Sequence, residues 1–427
     1  MQFMQPILCW GLLGTMTRLM VDTDKATRAS MIGAALNMAT TFNIVLLALI
    51  AVAARSSYAS GPAHLLPYAA AVAALAVYPQ ILLGFYVANG DALRYRGLSL
   101  IGFALQAASL GAVAAVFAMD SRTAMLTMIG AAALYAALSV VRLARAAQWR
   151  AGSAEYKALL GFGVPVVLYT LAGQSSDFVT RYVLASSVAA RDFGAFSAGQ
   201  LYASVIPMLS SAVNLAWVPL YYRRVDEWTA SGVYRRFAEL LAGSMAMCSA
   251  FLILFSQELL AAYSGGSVTL GVSTLGALVI AAWLNSAVWM GLCNPLFQQK
   301  RTKLILSIAL IAAAVSVPLG LLLIARHGAL GAALALVINA LLSCGAAAAA
   351  LRKLGIPGLD YRKLAIVLCL LVLLSSPAMD LLHQSSDGMH RLAAKSLLLV
   401  AFAGLAFVLL LRPGLHALRI IESSTAK

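Results

Sequence analysis

Asp177 and Arg181 stand four positions apart in one long apolar run, where lipid ordinarily excludes both. Four residues is about one helical turn, so the carboxylate and the guanidinium can pair. Ionisable groups held inside a span usually line a cavity or a substrate path, which makes this helix the first place to look for function. The competing role is structural. On insertion scales an Arg at mid-bilayer costs only ~2.5–3.5 kcal/mol, so the pair could simply hold helices together.

The run that carries them is about 27 residues long, near 40 Å of helix at ~1.5 Å per residue. That exceeds a hydrocarbon core of ~30 Å, so the helix must tilt or protrude. The chain as a whole matches this setting. Hydrophobic residues make up 62% of its 427 residues and charged residues only 11%, with a mean hydropathy of +0.90. Soluble domains are roughly a quarter charged, so the composition predicts an all-α polytopic membrane protein. No run shows the period-two alternation of a barrel strand.

Thirteen apolar runs are long enough to span. They cover 4–20, 29–54, 65–87, 97–119, 123–143, 158–185, 193–221, 237–256, 269–296, 304–325, 329–351, 364–382 and 392–411. Connections are short throughout, and none could fold as a soluble domain.

Of the 30 Lys and Arg, 23 fall in one alternate set of loops and six in the other, Arg55, Arg122, Arg191, Arg326, Arg391 and Lys395, leaving Arg181 in its span. The richer set is expected to be cytoplasmic, as is the C-terminus. The net charge of +15 is therefore a topology signal, helped by attraction to anionic lipid, and calls for no nucleic acid. On this count Met1 lies outside. The first run also lacks the basic leader and cleavage site of a signal peptide, so a preceding helix is expected to be missing.

Several chemistries have no residues to support them. The five cysteines stand singly in apolar runs, without CxxC or metal-ligand spacing. No HExxH and no Gly-rich phosphate loop occurs, so neither a metal nor another cofactor is expected, nor ATP hydrolysis by this polypeptide.

Trp10 precedes Arg28 by 18 residues and Trp217 precedes Arg235 by the same distance, each at an apolar helix ending in a basic cluster with acids nearby. This points to a duplication of six helices, with the first helix of the first copy absent. The bundles would cover 1–150 and 151–355, leaving two additional helices and a short tail in 356–427.

The segment 161–224 contains GFGVPVV, a polar turn before RYVL, FGAFSAG and AWVPLYYRR, and FSQELLAAYSGG follows at 255–266. These stretches resemble Wzx-type oligosaccharide flippases of the MOP superfamily, which also holds the MATE exporters and the MurJ lipid II flippases. The resemblance is strongest from Gly161 to Arg224 and weak over the rest. Its motifs are degenerate and identify the superfamily better than the member. It implies fourteen helices, as six, six and two, around a central cavity. Here the first helix is expected to be missing, and the acid often adjacent to the Arg is replaced by Thr180, with Asp177 a turn earlier.

The substrate implied is an oligosaccharide linked through pyrophosphate to a polyprenyl lipid, moved across the inner membrane for O-antigen, capsule or exopolysaccharide assembly. Expected partners are that lipid, membrane lipids, and the polysaccharide polymerase and chain-length machinery. On this reading Arg181 contacts phosphate with its fork of donors, and Asp177 holds the Arg or exchanges a proton.

Arg18 is a candidate for the cavity mouth or an interfacial anchor. Gln174, Gln200, Asn214 and Asn285 are candidates for sugar hydroxyls, although hydrogen bonding between helices is the commoner use. Trp217, Trp283 and Trp289 offer stacking faces or belong to an interfacial belt. Pro165, Pro207, Pro219 and Pro295 should kink their helices, and the small residues of 328–350 read as close packing. The alternative within transporters is a MATE-like cation-coupled antiporter for small cationic drugs. An enzyme such as an O-antigen polymerase is not expected, because the outer connections are short, SSVAARD at 186–192 being typical.

Overall fold

The computed structural model describes residues 15–16, 19–20, 23–56, 66–116, 120–149, 152–224, 232–266, 268–356, 358–376, 388–412 and 415. Among the described residues there is no strand, and ten helices are long and apolar enough to cross a membrane. The chain is an all-helical, multi-pass membrane protein. Ten helices rather than thirteen follow from three local facts. The first run and Arg18 lie outside the described residues, apart from a few positions. The runs at 304–325 and 329–351 are two helices that reverse at Gly328 (φ 54, ψ −125) and pack side by side, so that a Cβ on Gly320 would meet the Ala335 Cβ at 3.0 Å; they are counted together within Thr302–Lys353. Only fourteen residues of helix, Tyr361–Leu374, are described for the run at 364–382.

The chain divides into two compact units, 1–171 and 172–427. In the first, helices α1 (Lys25–Ser56), α2 (Leu66–Leu75), α3 (Val77–Asn89), α4 (Ala92–Val116) and α5 (Ser121–Ala146) precede the opening half of α6 (Ser153–Ser187). Its core joins Ile32, Ala35 and Ala39 of α1 to Ala73, Val77 and Ile81 of α2 and α3, with Leu98 and Leu143. Proline sets the break between α2 and α3. Pro79 has no N–H to give the carbonyl of Leu75, so the chain turns at Ala76. Asp120 caps α5, its carboxylate accepting from the Thr123 N–H at 2.8 Å.

The second unit holds the rest of α6, then α7 (Ala190–Ala203), α8 (Val205–Arg223), α9 (Val233–Leu254) and the short α10 (Ser256–Ser264). Next come α11 (Val272–Trp283), a π-helical turn (Leu284–Val288), α12 (Trp289–Gln298), α13 (Thr302–Lys353), α14 (Tyr361–Leu374) and α15 (Gly388–Ala406), which ends in a second π turn (Phe407–Leu411). Pro207 repeats the break of Pro79: α7 stops and α8 starts around Ser204. Pro165 and Pro295 instead lie within continuous helices. The core follows α11, its π turn and α12, where Trp283 is 0% exposed and donates from its indole to the Ala242 carbonyl at 2.9 Å. Trp289 is also buried.

Candidate functional site

The second half of α6 has three distinct faces, set by which residues recur every three or four positions. Ala172, Ser176, Thr180 and Leu184 form a buried stripe packed into the second unit. Polar groups secure it. The hydroxyls of Ser176 and Ser316 lie 3.1 Å apart, and both reach the Asn339 side-chain oxygen Oδ1, at 3.4 and 3.1 Å. Each buried hydroxyl thus finds a partner inside the bundle, as a membrane interior demands. One hydroxyl–amide cluster joins α6 to both arms of the α13 hairpin.

Phe178 and Tyr182 occupy the opposite face, 52% and 69% exposed. Their rings run nearly parallel with centroids 6.4 Å apart. Between these faces lie Gln174, Asp177 and Arg181. Arg181 Nε sits 3.0 Å from Asp177 Oδ2, with the two side chains 36% and 33% exposed. Gln200, arriving from α7, donates its Nε2 to Asp177 Oδ1 at 2.9 Å. Each carboxylate oxygen therefore has a neighbour. The Arg181 Nε–H is not aimed along a hydrogen bond to it, and the Gln174 and Gln200 amide oxygens have no hydrogen-bond partner among the described residues. Unspent donor and acceptor capacity gathers on this one face.

Depth matters to what the pair can do. Arg181 is six residues, about 9 Å, from the Ser187 end of a 35-residue helix. A core of ~30 Å centred on such a helix ends close to that residue. The pair thus belongs toward one edge of the membrane rather than at its midplane, and the cost of keeping the charge there is smaller.

The remaining sequence candidates lie elsewhere. Asn214 accepts from the buried Asn294 at 2.8 Å, joining α8 to α12. Trp217 is 5% exposed, stacked on Phe237 at 3.9 Å with Tyr221 and Tyr234 beside it. Both are held in helix packing. Asn285 is the opposite case, the exposed residue of the π turn between buried Leu284 and Ser286. The extra residue of a π turn shifts the helical register, which turns Asn285 outward. The structure brings together Asp177, Arg181 and Gln200, with Gln174 on the same helix face. The hydroxyl cluster with Asn339 and the exposed Phe178–Tyr182 pair were missed from sequence. Aromatic residues one position after each charged residue were the signal for the second.

No group of His, Cys, Asp or Glu side chains able to hold a metal ion occurs among the described residues. No protein-family model matches the chain, and no curated protein does. Solved structures do. A MATE transporter in complex with MaL6 superposes with a TM-score of 0.66 at 15% identity, over 82% of this chain and 85% of that one. An outward-facing multidrug resistance MATE family transporter of the MOP superfamily gives 0.64 at 17% identity, over 82% and 85%. The chain shares the fold of these two transporters. The lipid II flippase MurJ in an inward closed conformation shares this fold with a TM-score of 0.64 at 12% identity, over 95% of this chain and 92% of that one. Within this fold, the Asp177–Arg181–Gln200 group is built wholly inside the second unit.

Proposed function

We propose that this chain is a flippase that carries a polyprenyl-pyrophosphate-linked oligosaccharide from the cytoplasmic to the outer leaflet by alternating access, serving O-antigen, capsule or exopolysaccharide assembly. The observation that carries the reading is Arg181, part-exposed beside an Asp177 already fixed by Gln200. A guanidinium so presented suits a pyrophosphate, whose oxygens match its donors. The Gln174 and Gln200 amide oxygens are buried here and unpartnered among the described residues, and become acceptors for sugar hydroxyls when the cycle opens this face. Arg18 and Asn285 stay in this reading as residues of the substrate path, and Asn214 and Trp217, held in helix packing, back its wall from behind. The likeness to MurJ, a lipid II flippase, adds support because it covers more of the chain than the likeness to the first MATE structure does.

In the proposed setting the protein lies in the inner membrane with a cytoplasmic C-terminus. It hands its substrate to the polysaccharide polymerase and chain-length machinery. Deleting the gene in the native host tests the reading. Surface polysaccharide should disappear and lipid-linked intermediates accumulate on the cytoplasmic leaflet, with rescue by the intact chain. Unchanged polysaccharide and intermediates would overturn it.

A second reading, a MATE-like antiporter for small cations, draws on the part-exposed Asp177 carboxylate and on the MATE-like fold. The same deletion would then raise sensitivity to cationic dyes.

A further inference from the structure

The last two helices carry charges that the candidate site does not use, and Asp360, Lys363, Arg391 and Lys395 among them turn toward α9 and α10. Near the start of α9, Glu239 is 2% exposed and receives Arg235 Nε at 2.8 Å and Lys363 Nζ at 3.4 Å. The backbone N–H of Asp360, at the head of α14, donates to the same carboxylate at 3.3 Å. The Asp360 carboxylate closes the ring, 3.3 Å from Arg235 and 3.8 Å from Lys363. On α10, Glu258 accepts from Lys395 of α15 at 2.6 Å, with Arg391 at 3.7 Å. Here the buried member is the base: Lys395 is 1% exposed and lies 5.8 Å from the Phe255 ring centroid.

The two acids are 19 residues apart, on α9 and on α10, which follows it after Phe255, a path of at most about 28 Å at ~1.5 Å per residue. That is close to the ~30 Å hydrocarbon thickness, so one ion cluster falls near each membrane edge. A third contact fixes the register between them. A Cβ on Gly243 would come within 2.8 Å of the Leu410 Cβ, so only glycine allows α15 and its π turn to lie this close to α9. Gly243 precedes Glu258 by fifteen residues, and Lys395 precedes Leu410 by fifteen. The two helices therefore run antiparallel in matched register. Sliding by one turn, ~5.4 Å, would break the ion pair and the glycine contact together.

We infer that the last two helices are an integral layer of the second unit, locked to α9 and α10 near both membrane edges by Glu239 for α14 and by Glu258–Lys395 for α15. In any cycle that moves the second unit they travel with it. The inference holds whatever the substrate is.

The test is a double-mutant cycle on the purified full chain in nanodiscs, followed by melting temperature and amide exchange. Glu258→Gln takes the carboxylate from a fully buried ammonium, and a fall on the order of 10 °C is expected. Lys395→Met should cost less, since Glu258 keeps 29% exposure. The double variant should regain most of the loss, because an apolar pair replaces the ionic one. Faster exchange in Glu258→Gln should be confined to residues 390–411. Lys363→Met should act weakly, because Arg235 still holds Glu239.

Should Glu258→Gln fail to fold, a double variant that folds still supports the lock. Wild-type melting in Glu258→Gln, a double variant as impaired as the sum of the singles, or unchanged exchange over 390–411 would overturn it.

Discussion

Replacing Arg181 by alanine should move two quantities by very different amounts. The first is stability. The pair is about one-third exposed on both sides, so screening limits its worth to ~1 kcal/mol at most. Asp177 keeps its Gln200 donor at 2.9 Å. For a unit of this size ~1 kcal/mol is about 2–4 °C in melting temperature. The second is affinity for a polyprenyl pyrophosphate. A hydrogen bond to a charged group contributes ~1.5–3 kcal/mol, and each 1.4 kcal/mol is tenfold in Kd. Affinity should therefore fall roughly 10- to 150-fold. Arg181→Lys should recover part of it, supplying charge without the fork. The assay is calorimetric titration of a short-chain polyprenyl pyrophosphate into detergent-solubilised protein, beside a melting curve of the same sample. Unchanged affinity with a melting temperature lower by 10 °C or more would refute the reasoning and make the pair a helix tie.

Other expectations follow from single features of the structure. Gly328→Ala should destabilise by ~1–3 kcal/mol, because φ 54 with ψ −125 suits glycine alone while the nearest atom to an added Cβ is 4.0 Å away. A melting curve reads that backbone strain directly. Asn339→Leu removes the acceptor shared by Ser176 and Ser316, but their mutual 3.1 Å contact survives. The loss should be about 1 kcal/mol, since hydrogen bonds between membrane helices average ~0.6. Hydrogen bonds from Thr123 hold the Asp120 carboxyl below its ordinary value of 3.8. The cap thus stabilises above that value and is lost as pH falls through the lowered one. Melting curves of Asp120→Ala and wild type should differ at neutral pH and converge in acid.

Apolar run length was enough to read the membrane class and most of the spans, because hydrocarbon thickness sets a minimum that short core helices do not reach. It also read the two runs on either side of Gly328 as separate spans, and the chain does reverse there, although nothing in composition reports the φ of 54 that lets it. The four-residue spacing of Asp177 and Arg181 was legible because it is local on one helix. Gln200, 23 residues from Asp177, was picked out only as a polar residue in a span, not as its partner. Lys395 and Arg391 read as loop charges in the topology count, yet Lys395 is buried against an acid 137 residues away. Pairings of that reach leave no period in the sequence. Trp217 likewise offered a stacking face, and only packing shows that Phe237 and two tyrosines occupy its surroundings.

The central claim is a transport claim, and transbilayer movement tests it most directly. Purified protein would be reconstituted into liposomes carrying a fluorescent oligosaccharide linked by pyrophosphate to a polyprenyl chain, with leaflet accessibility followed by a membrane-impermeant quencher. The account predicts protein-dependent movement between leaflets that is lost in Arg181→Ala. Movement no faster than in protein-free liposomes, with efflux of a cationic dye accelerated by the same preparation, would contradict it.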